Sequence, residues 1–326
     1  MGDRLVMALE GSTGMCSAAL LRLRPDAERD GGRWAVAARR TDADRRGQAR
    51  VLLRLMDEML EETGSQPGDL GVVVVGTGPG TFTGVRITVA TARALSLALA
   101  VPVLGVSTLG ALAAWAATGA PGGASAATGV GAAPGAGAAP GAAIAGRPVR
   151  LLVPVVDARR GQVFYGLYRP AWARAGPDTG RWRRSTEFGV CDRGALGGLV
   201  AAAMDDSPQG DGRHDLNGTV LVVGESPALV TDLPGGVLFK RADLGAEWLL
   251  MGQDFLEEPG SLPQGARLAP WLTEAFAPRS GPKAAEPVVG GLGSPESVTP
   301  IYVRSPDADI HITKMKDPWA DGSGDR

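Results

Sequence analysis

Cysteine and histidine are almost missing from this chain of 326 residues: Cys16, Cys191, His214 and His311 are all it has. Two cysteines build no disulfide framework, and with two histidines on expected loops they form no conventional zinc site. Cys16 stands in an apolar stretch and reads as a small buried residue rather than a nucleophile. Charge of one sign is equally scarce, with a formal net charge of −2. A protein that grips a tRNA by itself usually shows a basic face. Here the densest arginine cluster, Arg39, Arg40, Arg45 and Arg46, is interrupted by Asp42 and Asp44, which disfavours direct nucleic-acid binding. Long hydrophobic runs are also lacking. The stretch from Val85 to Val106 carries Arg86 and Arg93 and does not comfortably span a bilayer. The apolar run after Met1 is too short for a signal peptide and Val6 breaks the myristoylation pattern, so a cytoplasmic protein without membrane contact is expected.

What is present is enough to build a core, since 44% of the residues are hydrophobic. Leu5–Glu10, Ser17–Leu23 and Arg33–Arg40 read as strands, Arg46–Thr63 as an amphipathic helix, Val72–Val75 as a buried strand and Phe82–Ala100 as a helix. The second half repeats this order, with strands Leu151–Asp157, Gln162–Tyr168 and Trp182–Val190, helix Gly194–Met204, strand Val220–Val223 and helix Ala246–Glu257. Each first strand ends in an acid before a tight turn, Glu10 and Asp157, and each fourth strand runs into Gly-x-x-Pro, at Gly76–Pro79 and Gly224–Pro227. The separations from Glu10 to Gly76 and from Asp157 to Gly224 differ by one residue. A duplicated βββαβα unit follows: an α/β, two-lobed fold of the actin-like and sugar-kinase-like order. The expected lobes are 1–106 and 107–304. Residues 117–146, built almost wholly from Ala, Gly, Pro, Ser and Thr, read as a flexible insertion, 277–297 as weakly ordered, 205–218 as a smaller loop insertion and 305–326 as a disordered tail.

The block Gly76-Thr-Gly-Pro-Gly-Thr-Phe-Thr-Gly-Val-Arg86 joins a strand to a helix. Such a turn can aim backbone N–H groups at a phosphate, and Gly78, Gly80 and Gly84 would allow its close approach. The Lys-Ser/Thr pair of a P-loop is absent and Pro79 interrupts the dinucleotide fingerprint. The preferred reading is that the glycines make the turn while Thr81 or Thr83 caps the helix. Glu10 and Asp157 could face each other across the gap between the lobes, but they read first as strand-end turn formers. Ser12, Thr13, Thr83 and Gly84 join them as a vestigial phosphate or turn site, with no catalytic residue and no metal ligand assigned.

The glycine-rich block resembles the signature of the TsaB family, also called YeaZ. So do Glu10-Gly-Ser-Thr13 with Cys16-Ser17, the segment Pro102–Leu109, Asp157-Ala-Arg-Arg-Gly-Gln-Val-Phe-Tyr165 and Pro300-Ile-Tyr-Val-Arg304. The resemblance implies a non-catalytic dimerisation and activating subunit in the complex that attaches threonylcarbamoyl to the tRNA adenosine following the anticodon. The implied partners are a TsaD-like catalytic subunit and a TsaE-like ATPase. A homodimer is a fallback, tRNA is met only through the complex, and ATP or ADP could lie at a subunit interface. The chain departs from the family at Glu10, where aspartate is usual, and near Gln48, where a histidine is often found. The competing reading is a small-molecule kinase or ATPase of the same superfamily.

The helices carry the partner argument. Val51, Leu52, Leu55, Met56, Met59 and Leu60 form a face wider than a surface helix needs, and the apolar residues of Phe82–Ala100 point in most directions. Leu52, Leu55, Met56, Met59, Arg86, Arg93 and Leu95 are the expected partner-binding residues.

Overall fold

Nearly every residue of the first strand is apolar because both faces of its sheet are covered. The structure, a computed structural model, describes residues 5–23, 34–42, 48–117, 143–144, 147–170, 182–205, 218–242, 245–250, 256–257 and 293–303. Strand β1 (Leu5–Glu10) pairs antiparallel with β2 (Cys16–Leu23), which pairs with β3 (Trp34–Asp42). On its other side β1 runs parallel to β4 (Leu70–Gly76), and β4 to β5 (Val103–Val106). Helix α1 (Gln48–Thr63) precedes β4 and α2 (Phe82–Leu99) follows it. Leu5, Met7 and Leu9 point to the α1 and α2 side, while Val6 and Ala8 point to the other. The register slips between Leu5↔Leu70 and Val6↔Val72, so Gly71 is an extra residue. That bulge lets Leu70 and Val73 share one face although they are three positions apart.

The second half repeats this sheet. Strand β6 (Ala143–Ile144) pairs with the start of β7 (Arg147–Arg159). Strands β8 (Gln162–Tyr165) and β9 (Tyr168–Pro170) are one neighbour of β7 interrupted at Gly166 and Leu167, because Val155↔Tyr165 and Leu152↔Tyr168 keep a single register. Beyond them lie β10 (Trp182–Arg184) against β9 and β11 (Gly189–Asp192) against β8. After helix α4 (Leu196–Asp205), β12 (Thr219–Gly224) runs parallel to β7, and β13 (Val237–Arg241) parallel to β12. The order third-second-first-fourth-fifth is therefore the same in both halves, which bears out the duplicated two-lobed fold.

The sequence reading missed β5, β13 and α3 (Thr108–Ala117). Helix α3, buried along its whole length, lies with Ala246–Leu249 in a core that also takes side chains from both sheets. The layers thus run α1 and α2, first sheet, α3, second sheet, α4. The expected helix Ala246–Glu257 is corrected: Ala246–Leu249 is a single 3-10 turn, and β14 (Leu256–Glu257) pairs with β10. Strand pairing outweighs the apolar pattern there, and the turn follows the fifth strand, where α3 stands in the first half. The expected insertion 117–146 has ordered ends, in α3 and β6; most of it, much of 277–297, the tail 305–326, the loop 206–217 and both histidines lie outside the described residues.

Candidate functional site

The β1–β2 turn and the β4–α2 junction meet at the carboxyl ends of the first sheet's parallel strands. Glu10 is buried there; Ser12 N donates to its Oε1 at 2.6 Å and the Thr108 hydroxyl to its Oε2 at 3.1 Å. The Thr108 Oγ1 also lies 2.9 Å from Ser12 Oγ, and Met15 N donates to Thr13 Oγ1 at 3.3 Å. Burial pushes the Glu10 carboxyl above its ordinary range, partly offset by hydrogen bonds from Ser12, Thr108 and Gly11.

The glycines of the block are explained by what they touch. A Cβ at Gly80 would lie 2.1 Å from the Ser12 carbonyl oxygen, and one at Gly84 2.0 Å from that of Gly11. Gly78 has φ +86, and its carbonyl accepts from Thr108 N. The close approach that these residues permit is thus made by the chain's own β1–β2 turn, with Thr81 N donating to Ser12 O at 2.7 Å. Thr81 stands at the cap of α2 but its hydroxyl makes no capping bond, and Thr83 is exposed in the first turn, so neither caps the helix as expected.

Seven of the expected turn residues, Glu10, Ser12, Thr13, Gly78, Gly80, Thr83 and Gly84, are brought to this junction, and Asp157 is not. Asp157 accepts from Arg159 N and Arg159 Nη1 and from Arg193 Nη2, at 2.9, 3.1 and 3.1 Å, within the second half. It fixes a turn in which Arg159 and Arg160 hold positive φ. Cys16 is buried, and its thiol is pushed up to about 11, chiefly by burial, which leaves little thiolate.

The helix residues require a correction. Leu52, Leu55, Met56 and Met59 are buried in the chain's own core, where α1 packs on β2, β3 and α2, and Leu95 packs against the same cluster. A face wide enough to suggest a partner is filled by α2 and the sheet. Arg93 donates through Nε to Val298 O at 2.9 Å, and Arg86 through Nε to the Tyr302 hydroxyl at 2.9 Å. Both arginines therefore hold a closing segment, 293–303, that crosses from β5 to the glycine block: Val103 N donates to Gly293 O and Ile301 N to Thr77 O. Thr108, Val298 and Tyr302 were missed as members of this region, although Thr108 and Tyr302 lie in segments that carry the resemblance. The face of α2 left open holds Thr83, Arg86, Ala90, Ala94, Leu97 and Ala98, and α1 adds Leu53 beside its charged residues. Leu97 is 56% exposed and Leu53 51%. Among the described residues α2 alone is long and apolar enough to cross a membrane, by length and composition only; its Val85, Val89 and Ala92 pack on the first sheet.

A family model described as TsaD, tRNA N6-adenosine threonylcarbamoyltransferase, matches residues 42–126, from the end of β3 past α3. A Pseudomonas aeruginosa protein described as similar to peptidase YEAZ has 22% identity and a TM-score of 0.53, covering 92% of this chain and 100% of that one. YeaZ from Pseudomonas aeruginosa has 22% identity and a TM-score of 0.52, covering 92% of this chain and 99% of that one. The chain has the YeaZ fold. No curated protein matches the sequence. In this YeaZ fold the described residues hold no cluster of three or more metal-ligating His, Cys, Asp or Glu side chains.

Proposed function

We propose that this chain is a TsaB-type accessory subunit that binds a TsaD-type catalytic subunit and so supports threonylcarbamoyl transfer to the tRNA adenosine following the anticodon. The observation that carries the reading is the filled glycine turn. Gly80 and Gly84 receive the carbonyls of Ser12 and Gly11, so the chain's own backbone takes up the close approach that a phosphate would need. The surface offered to a partner is then the open face of α2, with Leu97 and its flanking alanines, and Leu53 of α1. A TsaE-type ATPase joins the same assembly, tRNA is met through it, and a second copy of this chain is the fallback occupant of the face.

The description of the matched family model favours a second reading, the transferase itself. That activity is expected to need a His-x-x-x-His pair, and His214 and His311 cannot supply one. The test is calorimetric titration of the purified chain with the TsaD-type subunit of its own cells, beside assays of each protein alone. Binding that Leu97→Glu abolishes, with no ATP hydrolysis or tRNA modification by this chain alone, is expected. Robust turnover by this chain alone, lost on Glu10→Ala, would sink the accessory reading.

A further inference from the structure

The open face of α2 carries, near its amino terminus, a cluster of Phe82, Arg86 and Tyr302. The Arg86 guanidinium lies 3.8 Å from the Phe82 ring centroid and 5.7 Å from that of Tyr302, and the two rings are 5.5 Å apart. The Nε bond to the Tyr302 hydroxyl fixes the rotation of the guanidinium plane. Tyr302 is 47% exposed and Arg86 is exposed, so the cluster is at the surface.

Arg86 is the fifth residue of the 18-residue helix, just past its first turn, where the helix dipole supplies no partner for a cation. Arg39, Arg40, Arg54, Arg159, Arg184 and Arg193 each pair with a carboxylate; among the described residues Arg86, like Arg93, pairs with none. Its Nη edge is oriented but has no hydrogen bond among those residues.

We propose that the Arg86–Phe82–Tyr302 stack is an anchor for a carboxylate of the protein that docks on α2. The inference rests on the reading of α2 as the docking face. A planar guanidinium held between aromatic faces presents two parallel donors, the geometry of a bidentate carboxylate pair, and lysine offers no such fork. Arginine and tyrosine in preorganised clusters are also where interface energy concentrates. A nucleic-acid backbone fits less well: it is held by many cations, and the rest of this α2 face carries no charge while Asp57, Glu61 and Glu62 are exposed on α1. Tyr302 makes the closing segment part of the anchor, acting as a positioning residue for Arg86.

The experiment measures affinity for the TsaD-type subunit at low and high salt, with melting temperature, for Arg86→Met, Arg86→Lys, Tyr302→Phe and Leu97→Glu. Arg86→Met is expected to weaken binding roughly tenfold or more with melting unchanged, and to flatten the salt dependence. Arg86→Lys should recover only part of that loss, and Tyr302→Phe should cost a few-fold (about 3-fold) through the lost hydroxyl. Wild-type affinity in Arg86→Met, with binding abolished by Leu97→Glu, overturns the anchor and leaves the docking face standing. Wild-type affinity in both removes the docking face and the anchor with it. If Arg86→Met lowers the melting temperature, Arg86→Lys decides, and wild-type affinity there overturns the proposal. A loss of tRNA binding by the isolated chain, with partner affinity intact, assigns the cluster to nucleic acid and overturns it too.

Discussion

The two halves share a strand order but not what crosses between their fourth and fifth strands. After Gly76-Thr-Gly-Pro79 the first half builds α2, 18 residues long; after Gly224-Glu-Ser-Pro227 the second builds only the 3-10 turn Pro227–Leu229 before β13 begins at Val237. Parallel strands need a crossover of about a dozen residues, and the second half meets that requirement with little more. What differs is therefore not the sheet but the crossover: between these strands the first half exposes a long helix with Leu97 on its outer side, and the second does not. A duplicated frame can keep its core in both copies and carry a long, half-exposed crossover helix in one.

The largest expected effect tests which side of each helix belongs to the core. Met59→Glu in α1 and Val200→Glu in α4 both place a charge in a fully buried position, so each should cost several kcal/mol, more than about 4, and unfold the chain. Leu97→Glu should leave the thermal midpoint unchanged and remove partner binding, read by melting and titration on the same samples. If Leu97→Glu also unfolds the chain, α2 is packed all round and the contrast between the halves collapses.

A second contrast uses glycine. Gly80→Ala puts a Cβ 2.1 Å from a backbone carbonyl and should destabilise by roughly 2–4 kcal/mol. Gly198→Ala, in α4 with no atom within 4 Å of the added carbon, should stabilise by about 0.5–1 kcal/mol. Denaturant midpoints of the two variants read both; equal and small effects would mean that the first-half turn is not close-packed.

The smallest effect is electrostatic and separates Glu10 from Asp157. The folded Glu10 carboxyl is raised above 4.5 by burial, so the folded chain holds that proton more tightly than the unfolded one. Stability from this group is then complete below about pH 4.5 and falls as pH rises through the folded value. Glu10→Gln should flatten that fall and leave the chain at least as stable at pH 7, measured by denaturant unfolding across pH. Asp157→Asn should give no comparable gain, because it removes an acceptor from Arg159 and Arg193. Steeper loss of stability with pH in Glu10→Gln would show that the carboxylate, not the acid, is the folded form.

By itself the sequence determined the first four strands of each half, the helices α1, α2 and α4, and the glycine turn that joins β4 to α2. Those follow from local periodicity and from an acid and a glycine turn repeated at nearly equal spacing, which chain geometry alone translates into place. Short or mixed elements escaped: β13 carries Lys240 and Arg241 in five residues, and Ala246–Leu249 looks helical until β14 pairs with β10. Only the tertiary structure decided what each surface meets. Apolar spacing says that Leu55 and Met59 must be covered, but a sheet and a partner cover them equally well until the strands are paired. Glycine permits close approach without naming what approaches, and here it is the chain's own Ser12. Arg86 and Arg93 find Tyr302 and Val298 more than 200 positions away, a contact that no local pattern encodes because its entropy is recovered only when both sheets and the closing segment are assembled.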